Sequence, residues 1–466
     1  MYSSFFGIEI AKRALFAQQG AQQNVSHNVA NANTPGYSRQ RPVMEATYMK
    51  PWSGMYTAAG AVQAGAGVRI ADIIRIRDDF ADMQYRNENS SFGQWSVQAD
   101  ILRQVEAIFN EPSDIGVSTV LIQFWQALEE LSKNPEAIEI RETVKERAVT
   151  LAETINHVAT KLTELLEDIN FRISVKVDQV NTLARQIANL NAQIQQMEIT
   201  GITASDLRDK RDVLLDELSK LVNINTYEDE NGVFTVNVGG AILVKGNDYE
   251  VISFDGVDIK WQVYNTPVNI TKGELKGLLD LRDGKVKTYL DSLKIFAKTF
   301  ADEFNNIHKS GYDLDGNKVV EDFFIYTDSL SGDILSINSN ILKNVRLIAA
   351  AKDGSAVPGD NRNALELANL KYKKIPLLGG TLDEYYGSLI ARLGIDSQEA
   401  LRMTESQEFI VSQIEEQRKA VSSVSLDEEM ARMVMFQHAY NAAARIVTAI
   451  DEMLDVIVNR MGITGR

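Results

Sequence analysis

Apolar positions near both ends of the chain follow a helical spacing. Steps of three and four residues alternate along one stripe near the start, and the same alternation returns near the finish. Such steps place side chains on one face of an α-helix and are typical of a coiled-coil seam. The first stripe consists of Ile8, Ala11, Leu15, Gln18, Gln22, Val25 and Val29. The second consists of Leu426, Met430, Met433, Gln437, Tyr440, Ala444, Val447, Asp451, Leu454, Val458 and Met461.

Polar residues interrupt both stripes. Gln18 and Gln22 lie in the first, and Gln437 and Asp451 lie in the second. A monomeric domain rarely buries such residues on its packed face, whereas a seam that must specify its partner and register tolerates them at some cost in stability. We therefore expect the two ends of the chain to pair with each other and to assemble with other copies. The alternative is that each helix packs on the core of its own domain.

A long stretch without glycine lies between residues 117 and 200, and Pro135 is its single proline. Apolar residues recur every three or four positions from Leu151 to Ile169 and again from Val180 to Met197. At about 1.5 Å per residue, a continuous helix over 136–197 would be roughly 90 Å long. The pattern fits both a coiled-coil strut and the helices of a buried bundle, and it does not decide between them.

Alternating β-branched and aromatic residues replace the helical period in two places. They occur in residues 223–265 and 311–340, broken by Gly pairs and Asp-Gly turns, which predicts β-hairpins. The expected fold class is mainly α with a smaller β part (α+β). We predict a terminal coiled-coil assembly domain (1–62 and 421–466), a helical core domain (63–222, 266–310 and 341–420) and a small inserted β domain (223–265 and 311–340).

Charge is distributed unevenly along the 466 residues. The formal net charge is −16, made up of +4 over residues 1–70, −2 over 425–466 and −18 over the middle. An acidic body argues against nucleic acid and anionic membranes as partners. The start of the chain lacks the pattern of a cleavable secretory signal, and no apolar run approaches the roughly 18 residues of a membrane span. We expect a soluble protein whose export, if any, uses no classical signal.

No residue pattern predicts a catalytic, cofactor or metal site. There is no cysteine, which excludes disulfides and thiolate ligands. The four histidines lie far apart and outside any metal-binding spacing, so we expect each on a surface or a helix flank. The loop that begins at Asp313 starts like an EF-hand, but Lys318 and Phe324 replace the glycine and the bidentate glutamate that calcium needs. A polar hairpin loop is the better interpretation. The histidines are His27, His157, His308 and His438.

The stretch NVANANTPGYSRQ, residues 28–40, predicts a defined end for a helix that begins at about Phe5 and runs to about Ala30. Asn31 or Asn33 can take the left-handed position after the helix, and Pro35-Gly36 suits the centre of a type II turn. Local turn chemistry does not require the residues after the turn. We therefore expect these residues to contact the protein's own body or a neighbouring subunit; they are Tyr37, Arg39 and Arg41.

The same stretch resembles the signature near the start of flagellar rod, hook and hook-associated proteins. The segment VSLDEEMARMVMFQHAYNAAARIVTAIDEMLDVIVNRMG is similar to the last helix of these proteins. The blocks IFNEPSDIGVSTVLIQFWQALEELSKNPE and GDNRNALELANL narrow the resemblance to the hook-associated protein 1 family. It covers nearly the whole chain.

The resemblance implies a structural subunit without catalysis, which assembles as the first ring of the junction between hook and filament. Its implied partners are identical subunits, the hook protein, the second junction protein and an export chaperone, and its implied location is the extracellular flagellum after flagellar type III export. Alternatives are the hook protein, the second junction protein, or a secreted hydrolase with a catalytic insertion. The last is disfavoured because the inserted segments are small and carry no catalytic pattern.

The resemblance also assigns roles to residues. The two stripes defined above would form the inner coiled-coil layer of the assembly, and the second stripe would bind the chaperone before export. A loop between the first helix and the body would be the signature loop shared by axial proteins. This signature loop consists of Asn31, Asn33, Thr34, Pro35, Gly36, Tyr37 and Arg39.

Overall fold

Eleven α-helices and ten β-strands make up the part of the chain that the computed structural model describes, namely residues 4–48, 65–199, 201, 203–329 and 333–460. Met461, the last predicted residue of the second stripe, lies outside it. The helices are α1 (Ser4–Asn31), α2 (Asp79–Phe109), α3 (Val117–Lys133), α4 (Ile138–Glu198), α5 (Ser205–Leu221), α6 (Glu274–Asp280), α7 (Val286–His308), α8 (Ser339–Lys343), α9 (Arg362–Asn369), α10 (Leu382–Ser422) and α11 (Leu426–Asp455). Short π-helical turns follow α6 and α11.

The strands form small antiparallel sheets. A two-stranded ribbon, β1–β2, follows α1, and a four-stranded meander runs in the order β3-β4-β5-β6. The pairs β7–β8 and β9–β10 are separate hairpins. The fold class, mainly α with a smaller β part, is confirmed. The strands are β1 (Gln40–Tyr48), β2 (Gly65–Arg75), β3 (Ile224–Glu228), β4 (Phe234–Val238), β5 (Ala241–Lys245), β6 (Asp248–Tyr249), β7 (Ile252–Phe254), β8 (Ile259–Trp261), β9 (Phe324–Tyr326) and β10 (Leu335–Ile337).

Helix α4 is the spine of the body. It is unbroken over 61 residues, as its lack of glycine and proline predicts, and one side of it is buried along its length. The buried side chains pack on α3, α5, α7 and on the strands of this same chain. Of the two interpretations left open by the sequence, the buried bundle is therefore the one that describes α4.

Three asparagines of α4 bind the edges of the small sheets. Asn156 accepts the backbone N–H of Leu335 at 2.9 Å and donates to its carbonyl at 2.8 Å. Asn181 pairs with the backbone of Ile252 in the same two-way manner, at 2.9 and 2.8 Å. Asn191 donates to the carbonyl of Gly246 at 2.9 Å. Each side-chain amide thus forms hydrogen bonds with backbone groups of a strand or turn. Without these bonds, the backbone groups would be buried and unpaired.

The two predicted β segments lie against different parts of α4. Asn156, which binds β10, and Asn181, which binds β7, are separated by about 37 Å of helix at 1.5 Å per residue. The predicted division of the chain into three domains stays a prediction.

Aromatic side chains fill the centre of the body. Phe300 packs on Phe324 with ring centroids 4.9 Å apart, and the neighbouring rings continue the cluster along α7. His308 ends this row and is fully buried, so the expectation that it lies on a surface or helix flank was wrong. Its Nε2 accepts the backbone N–H of Ala349 at 3.1 Å, and burial lowers the pKa of its imidazole to about 4. The ring is therefore neutral and serves as a core acceptor.

Helices α2 and α10 pack side by side along the body and bring the chain back to its other end. Helix α10 begins with a capping box, in which Thr381 and Glu384 bond to each other's backbone N–H. It ends at Ser422, whose carbonyl accepts the N–H of Arg39 at 2.8 Å. The end of α10 and the start of β1 therefore meet, next to the beginning of α11. Among the described helices, none combines the length and the apolar character needed to cross a membrane.

Candidate assembly interface

Helices α1 and α11 pair in antiparallel orientation. Gly7 lies against Ile450, because a Cβ added to Gly7 would be 3.0 Å from Cδ1 of Ile450. At the other end of the pair, Asn28 bonds to Glu429 at 2.9 Å. The same number of residues separates Gly7 from Asn28 as separates Glu429 from Ile450, so the two contacts belong to one register. The two ends of the chain thus meet in the folded subunit.

All seven predicted residues of the first stripe are covered. Ala11 and Val25 are buried, and the others, Ile8, Leu15, Gln18, Gln22 and Val29, are partly buried. Helix α1 is also covered on a second side by the β1–β2 ribbon, where Gly20 approaches Ile70. Alanines and asparagines outside the predicted stripe are therefore buried as well; they are Ala17, Ala21, Asn24 and Asn28.

The second stripe differs from the prediction at every second position. Four predicted residues keep their places along the face of α11 that turns towards α1: Met433, Val447 and Leu454 are partly buried, and Tyr440 lies at the edge of the face with 36% exposure. The alternate predicted residues are displaced by one position, so that the face also contains Glu429, Phe436, Ala443 and Ile450.

This displacement removes the predicted polar residues from the seam. Gln437 and Asp451 are exposed, as are Leu426, Met430 and Val458, while Ala444 is partly buried beside Ala443. The displacement has a simple cause: α11 is apolar on two adjacent faces, and spacing alone does not distinguish them.

On the sides of α11 that do not contact α1, apolar residues are therefore left in solvent. Met430 is 58% exposed and Ile446 is 53% exposed. In the described chain, large apolar side chains are exposed along the whole length of this helix. Together with the exposed apolar residues of the π-helical turn that follows, we call them the outer face of α11; they are Leu426, Met430, Val434, Met435, Ile446, Met453, Val456, Ile457 and Val458.

The signature loop contains the predicted turn. The N–H of Tyr37 bonds to the carbonyl of Thr34 at 3.2 Å, and Gly36 has a φ of +76°, as the third residue of a type II turn requires. A Cβ on Gly36 would also meet Cγ2 of Val213 at 2.2 Å. Neither Asn31 nor Asn33 has a positive φ, so the expected left-handed helix end was wrong. The helix instead closes with a bond from the N–H of Thr34 to the carbonyl of Asn31, at 2.9 Å.

The side chain of Asn28 joins the signature loop to both terminal helices. It is fully buried, and its amide makes all four hydrogen bonds that the group allows. Oδ1 accepts from the hydroxyl of Tyr37 at 2.8 Å and from the N–H of Gln40 at 3.0 Å. Nδ2 donates to the carbonyl of Gln40 and to Oε2 of Glu429, both at 2.9 Å.

Glu429 and Arg39 complete this contact on the side of α11. Glu429 is fully buried, and its Oε1 lies 3.6 Å from Nε of Arg39, within ion-pair distance but beyond a hydrogen bond. Nη1 of Arg39 bonds to Glu428 at 2.8 Å. Asp427, Glu428 and Glu429 all lie in the first turn of α11, where acidic residues favour the helix dipole. The dipole does not explain why Glu429 is buried; its contacts with Asn28 and Arg39 do.

Tyr37 packs against α1 through His27. The two rings meet edge to face with centroids 5.6 Å apart, and Nδ1 of His27 lies 3.0 Å from the Tyr37 hydroxyl. Burial and the carboxylates of Asp206, Asp209 and Glu429 raise the pKa of Tyr37 above its ordinary value. The tyrosine therefore stays a neutral donor to Asn28.

A cluster of four arginines and four aspartates holds the signature loop on the body. Ser38, at the end of the loop, donates its N–H to Asp209 at 2.9 Å. Arg75 bonds to both Asp209 and Asp212 at 2.8 Å. The cluster is well shielded from solvent and connects β2 with α2, α5 and α10. It consists of Arg75, Arg77, Arg86, Arg418, Asp82, Asp209, Asp212 and Asp216.

The arginines keep Asp212 ionised. Burial alone would raise the pKa of Asp212, but the guanidinium groups of Arg77, Arg86 and Arg75 hold it well below its usual range. Equal numbers of opposite charges, joined by hydrogen bonds, can be buried together. The joint between the terminal helices and the body is therefore fixed by paired charges as well as by apolar packing.

Sequence patterns missed the residues that join these parts. Asn28 lies next to the predicted stripe, which steps from Val25 to Val29. Glu429 carries a first-turn acidic pattern that has a complete local explanation. The aspartates of α5 alternate with basic residues in DLRDKRD, which is the composition of an exposed helix. One pattern in the sequence could have indicated this contact: two asparagines, Asn24 and Asn28, recur at helical spacing beside an apolar stripe.

Family models of flagellar proteins match three parts of this chain. Residues 8–37 match "Flagella basal body rod protein", and residues 420–461 match "Flagellar basal body rod FlgEFG protein C-terminal". These are α1 with its loop, and α11. Residues 102–324 match "Flagellar hook-associated protein FlgK helical domain".

Flagellar hook-associated protein 1 of Bacillus subtilis is 36% identical over the full length of both chains. The chain belongs to the flagellar hook-associated protein 1 family. Other relatives of this name are more distant: those of Salmonella typhimurium and Escherichia coli are 24% and 23% identical over 97% of this chain and 99% of theirs. The hook junction protein FlgK of Burkholderia pseudomallei has the same fold over 74% of this chain and all of that one, with a TM-score of 0.64 and 16% identity.

Membership of this family makes the chain a structural protein of the bacterial flagellum, of the hook-associated type. The other axial proteins and the hydrolase, kept as alternatives above, gain no comparable support. The family match also covers the helical body, which the short signature near the start could not identify by itself.

Proposed function

We propose that this protein assembles as a ring of identical subunits at the junction between the flagellar hook and filament, with the outer face of α11 covered by neighbouring copies. The observation that carries the proposal is that apolar residues are exposed along α11 on the sides that do not contact α1, although the helix is already paired with α1. Burying one Met, Ile or Val side chain contributes about 1.5–3 kcal/mol. Several such residues per subunit are enough to drive association.

The two terminal helices supply the contact surface, and the body holds them in place. The signature loop is fixed on α5 by the bond between Ser38 and Asp209, so the helix pair has one direction relative to the body. Subunits with one fixed geometry can repeat it around a ring. In this proposal the first stripe and the observed face of α11 stabilise each subunit, and the outer face of α11 joins subunits.

The hook protein on one side and the second junction protein on the other are the proposed neighbours of the ring. Support comes from family membership and from the name of the B. pseudomallei protein, which is a hook junction protein. We further propose export through the flagellar apparatus, with a chaperone bound to α11 before export. The exposed members of the second stripe, such as Met430 and Tyr440, offer the apolar surface that such a chaperone would cover.

Hook ends incubated with purified variants test the proposal. Replacing Met430 and Ile446 by glutamate puts charge on the outer face of α11 and should abolish junctions seen by electron microscopy. Phe171, which is 67% exposed on α4, provides the matched control, because Phe171→Glu should assemble normally. Normal junctions formed by the double variant would overturn the proposal. Immunogold labelling at a different axial level would overturn the assignment to the first junction ring.

A further inference from the structure

The seam between α1 and α11 contains one fully buried carboxylate. Glu429 is 0% exposed, and its partner across the seam, Asn28, is also 0% exposed. On α11 the rest of the seam is apolar, and most of its side chains are large. A buried carboxylate needs partners in place, because burying it without them is strongly unfavourable. The antiparallel register that aligns Glu429 with Asn28 is therefore favoured over its neighbours.

The apolar part of the seam discriminates poorly between registers. Its residues on α11 are apolar at every step of three or four positions from Met433 to Leu454. Sliding α11 along α1 by one turn therefore replaces one apolar residue with another over much of the contact, and apolar contact has no preferred direction. These residues are Met433, Phe436, Tyr440, Ala443, Val447, Ile450 and Leu454.

Asn28 has a fixed position, so it can act as the reference for this register. Three of its four hydrogen bonds go to Tyr37 and Gln40, on the loop side. The loop is in turn bound to the body through Ser38 and Asp209. The fourth bond, from Nδ2, has only Glu429 as its acceptor in the described structure. A slide of α11 by one turn would remove that acceptor and leave Glu429 without its donor.

We propose that the Asn28–Glu429 hydrogen bond, with Arg39 beside it, determines the register in which the two terminal helices pair. Buried polar pairs fix register in coiled coils in the same way, at some cost in stability. The inference concerns the folding of one subunit and does not depend on the proposed ring. A change of register would move α11 relative to α1 and would change which residues of α11 are exposed. The Asn28–Glu429 hydrogen bond therefore also determines which residues form the outer face of α11.

Disulfide trapping in the full-length chain tests this inference. Because the natural chain has no cysteine, only the introduced cysteines can form a disulfide. One cysteine is placed at Gly7 and the second at Ile450 for the observed register, or at Ile446 or Leu454 for registers one turn away. The soluble subunit is oxidised, and the yields of the three pairs are compared. Each pair is made in the natural background and in Glu429→Leu, Glu429→Gln and Asp427→Leu backgrounds.

In the natural background, the pair of Gly7→Cys with Ile450→Cys should exceed the other two at least tenfold. Glu429→Leu should lower that ratio at least tenfold, because a leucine side chain can pack against α1 in every register. Glu429→Gln keeps an acceptor for Asn28 and should preserve the ratio. Asp427→Leu changes an exposed carboxylate in the same turn and should also preserve it.

Two results would overturn the inference. The first is an unchanged preference for the observed register in Glu429→Leu. The second is a loss of all three cross-links in that variant, which would mean that Glu429 is needed for pairing but does not choose the register. Asn28→Leu gives an independent check from the other side of the bond, and it should lower the same ratio. Circular dichroism compares the helix content of all variants.

Discussion

Asn28 donates a hydrogen bond from Nδ2 to Oε2 of Glu429 over 2.9 Å, although the two residues are 401 positions apart in the chain. The bond joins the two ends of the chain, because Asn28 lies in the last turn of α1 and Glu429 lies in the first turn of α11. It also places the signature loop at the point where the terminal helices meet the body. The sharp end of α1 has a physical reason here, because Asn28 must hold the loop and α11 at the same time.

Asn28→Ala should weaken the pairing of α1 with α11. The change removes four hydrogen bonds and leaves the carboxylate of Glu429 and the backbone of Gln40 without their partner. Buried groups left unpaired cost roughly 1–3 kcal/mol each, so we expect a loss of about 3 kcal/mol. Limited proteolysis measures the effect as faster cleavage within α11. Asn33→Ala, at an exposed position of the same loop, is the control and should be cleaved like the natural protein.

Gly36→Ala should destabilise the joint between loop and body for two separable reasons. The φ of +76° strains any residue with a Cβ, and the new Cβ would meet Val213 at 2.2 Å. Together we expect a cost of about 2–4 kcal/mol, observed as a lower midpoint of urea unfolding. Val213→Ala in the same chain should recover the steric part only. Gly240→Ala, with a φ of +88° and open space around it, should show the strain alone; equal losses at both glycines would refute the steric part.

Asp212→Asn should leave buried arginines without a full set of partners. Its carboxylate bonds to Arg75 and Arg86 at 2.8 and 3.1 Å, and Arg77 lies 3.3 Å away. Removing one member of a buried ionic group costs roughly 3–5 kcal/mol, which urea unfolding measures. Asp255→Asn, at an exposed ion pair with Lys260, is the comparison and should change stability by less than about 1 kcal/mol. A similar small loss at Asp212 would mean that the cluster does not support the joint.

Mild acid should destabilise the body through His308. Its pKa is about 4 in the folded protein, against 6.5 as the ordinary value. The unfolded chain therefore binds the proton first, so stability from the neutral ring is complete above pH 6.5 and is lost as the pH falls towards 4. The full effect is about 3 kcal/mol.

Urea unfolding at pH 7 and pH 5, in the natural protein and in His308→Gln, measures this contribution. The variant should be less sensitive to pH across that interval, and His157→Gln, at an exposed histidine, should behave like the natural protein. Acid sensitivity that persists unchanged in His308→Gln would assign the effect to other groups. Asp212 adds its own loss only at lower pH, because its pKa lies below the usual range.

Local patterns predicted the elements well and their contacts less well. The stripe from Ile8 to Val29, the type II turn at Pro35-Gly36 and the unbroken α4 all follow from spacing and from Gly and Pro positions. The seam of α11 did not, because two adjacent faces of that helix are apolar and only the partner helix selects between them. Periodicity identified the helix and half of its buried residues.

Contacts between distant polar residues had no local signal. Asn28 and Glu429 are ordinary residues for a helix end and a helix start, and only the pairing of the chain ends makes them partners. The arginine–aspartate cluster is similar: Asp209 and Asp212 belong to a charged segment that predicts an exposed helix, and they are buried because β2, α2 and the segment between them supply arginines. Such sites depend on contacts between segments that are distant in the chain. Local patterns in a single sequence do not show which segments meet.

Hydrogen exchange along α11, in the free subunit and in the assembled ring, tests the proposed role of this helix most directly. In the free subunit we expect fast exchange in α11, whose outer face is exposed, and slow exchange in the buried α4. Assembly should slow exchange in α11 at least tenfold and leave α4 unchanged. Equal exchange of α11 in the free and assembled protein would contradict the account, because its outer face would then not be the surface that joins subunits.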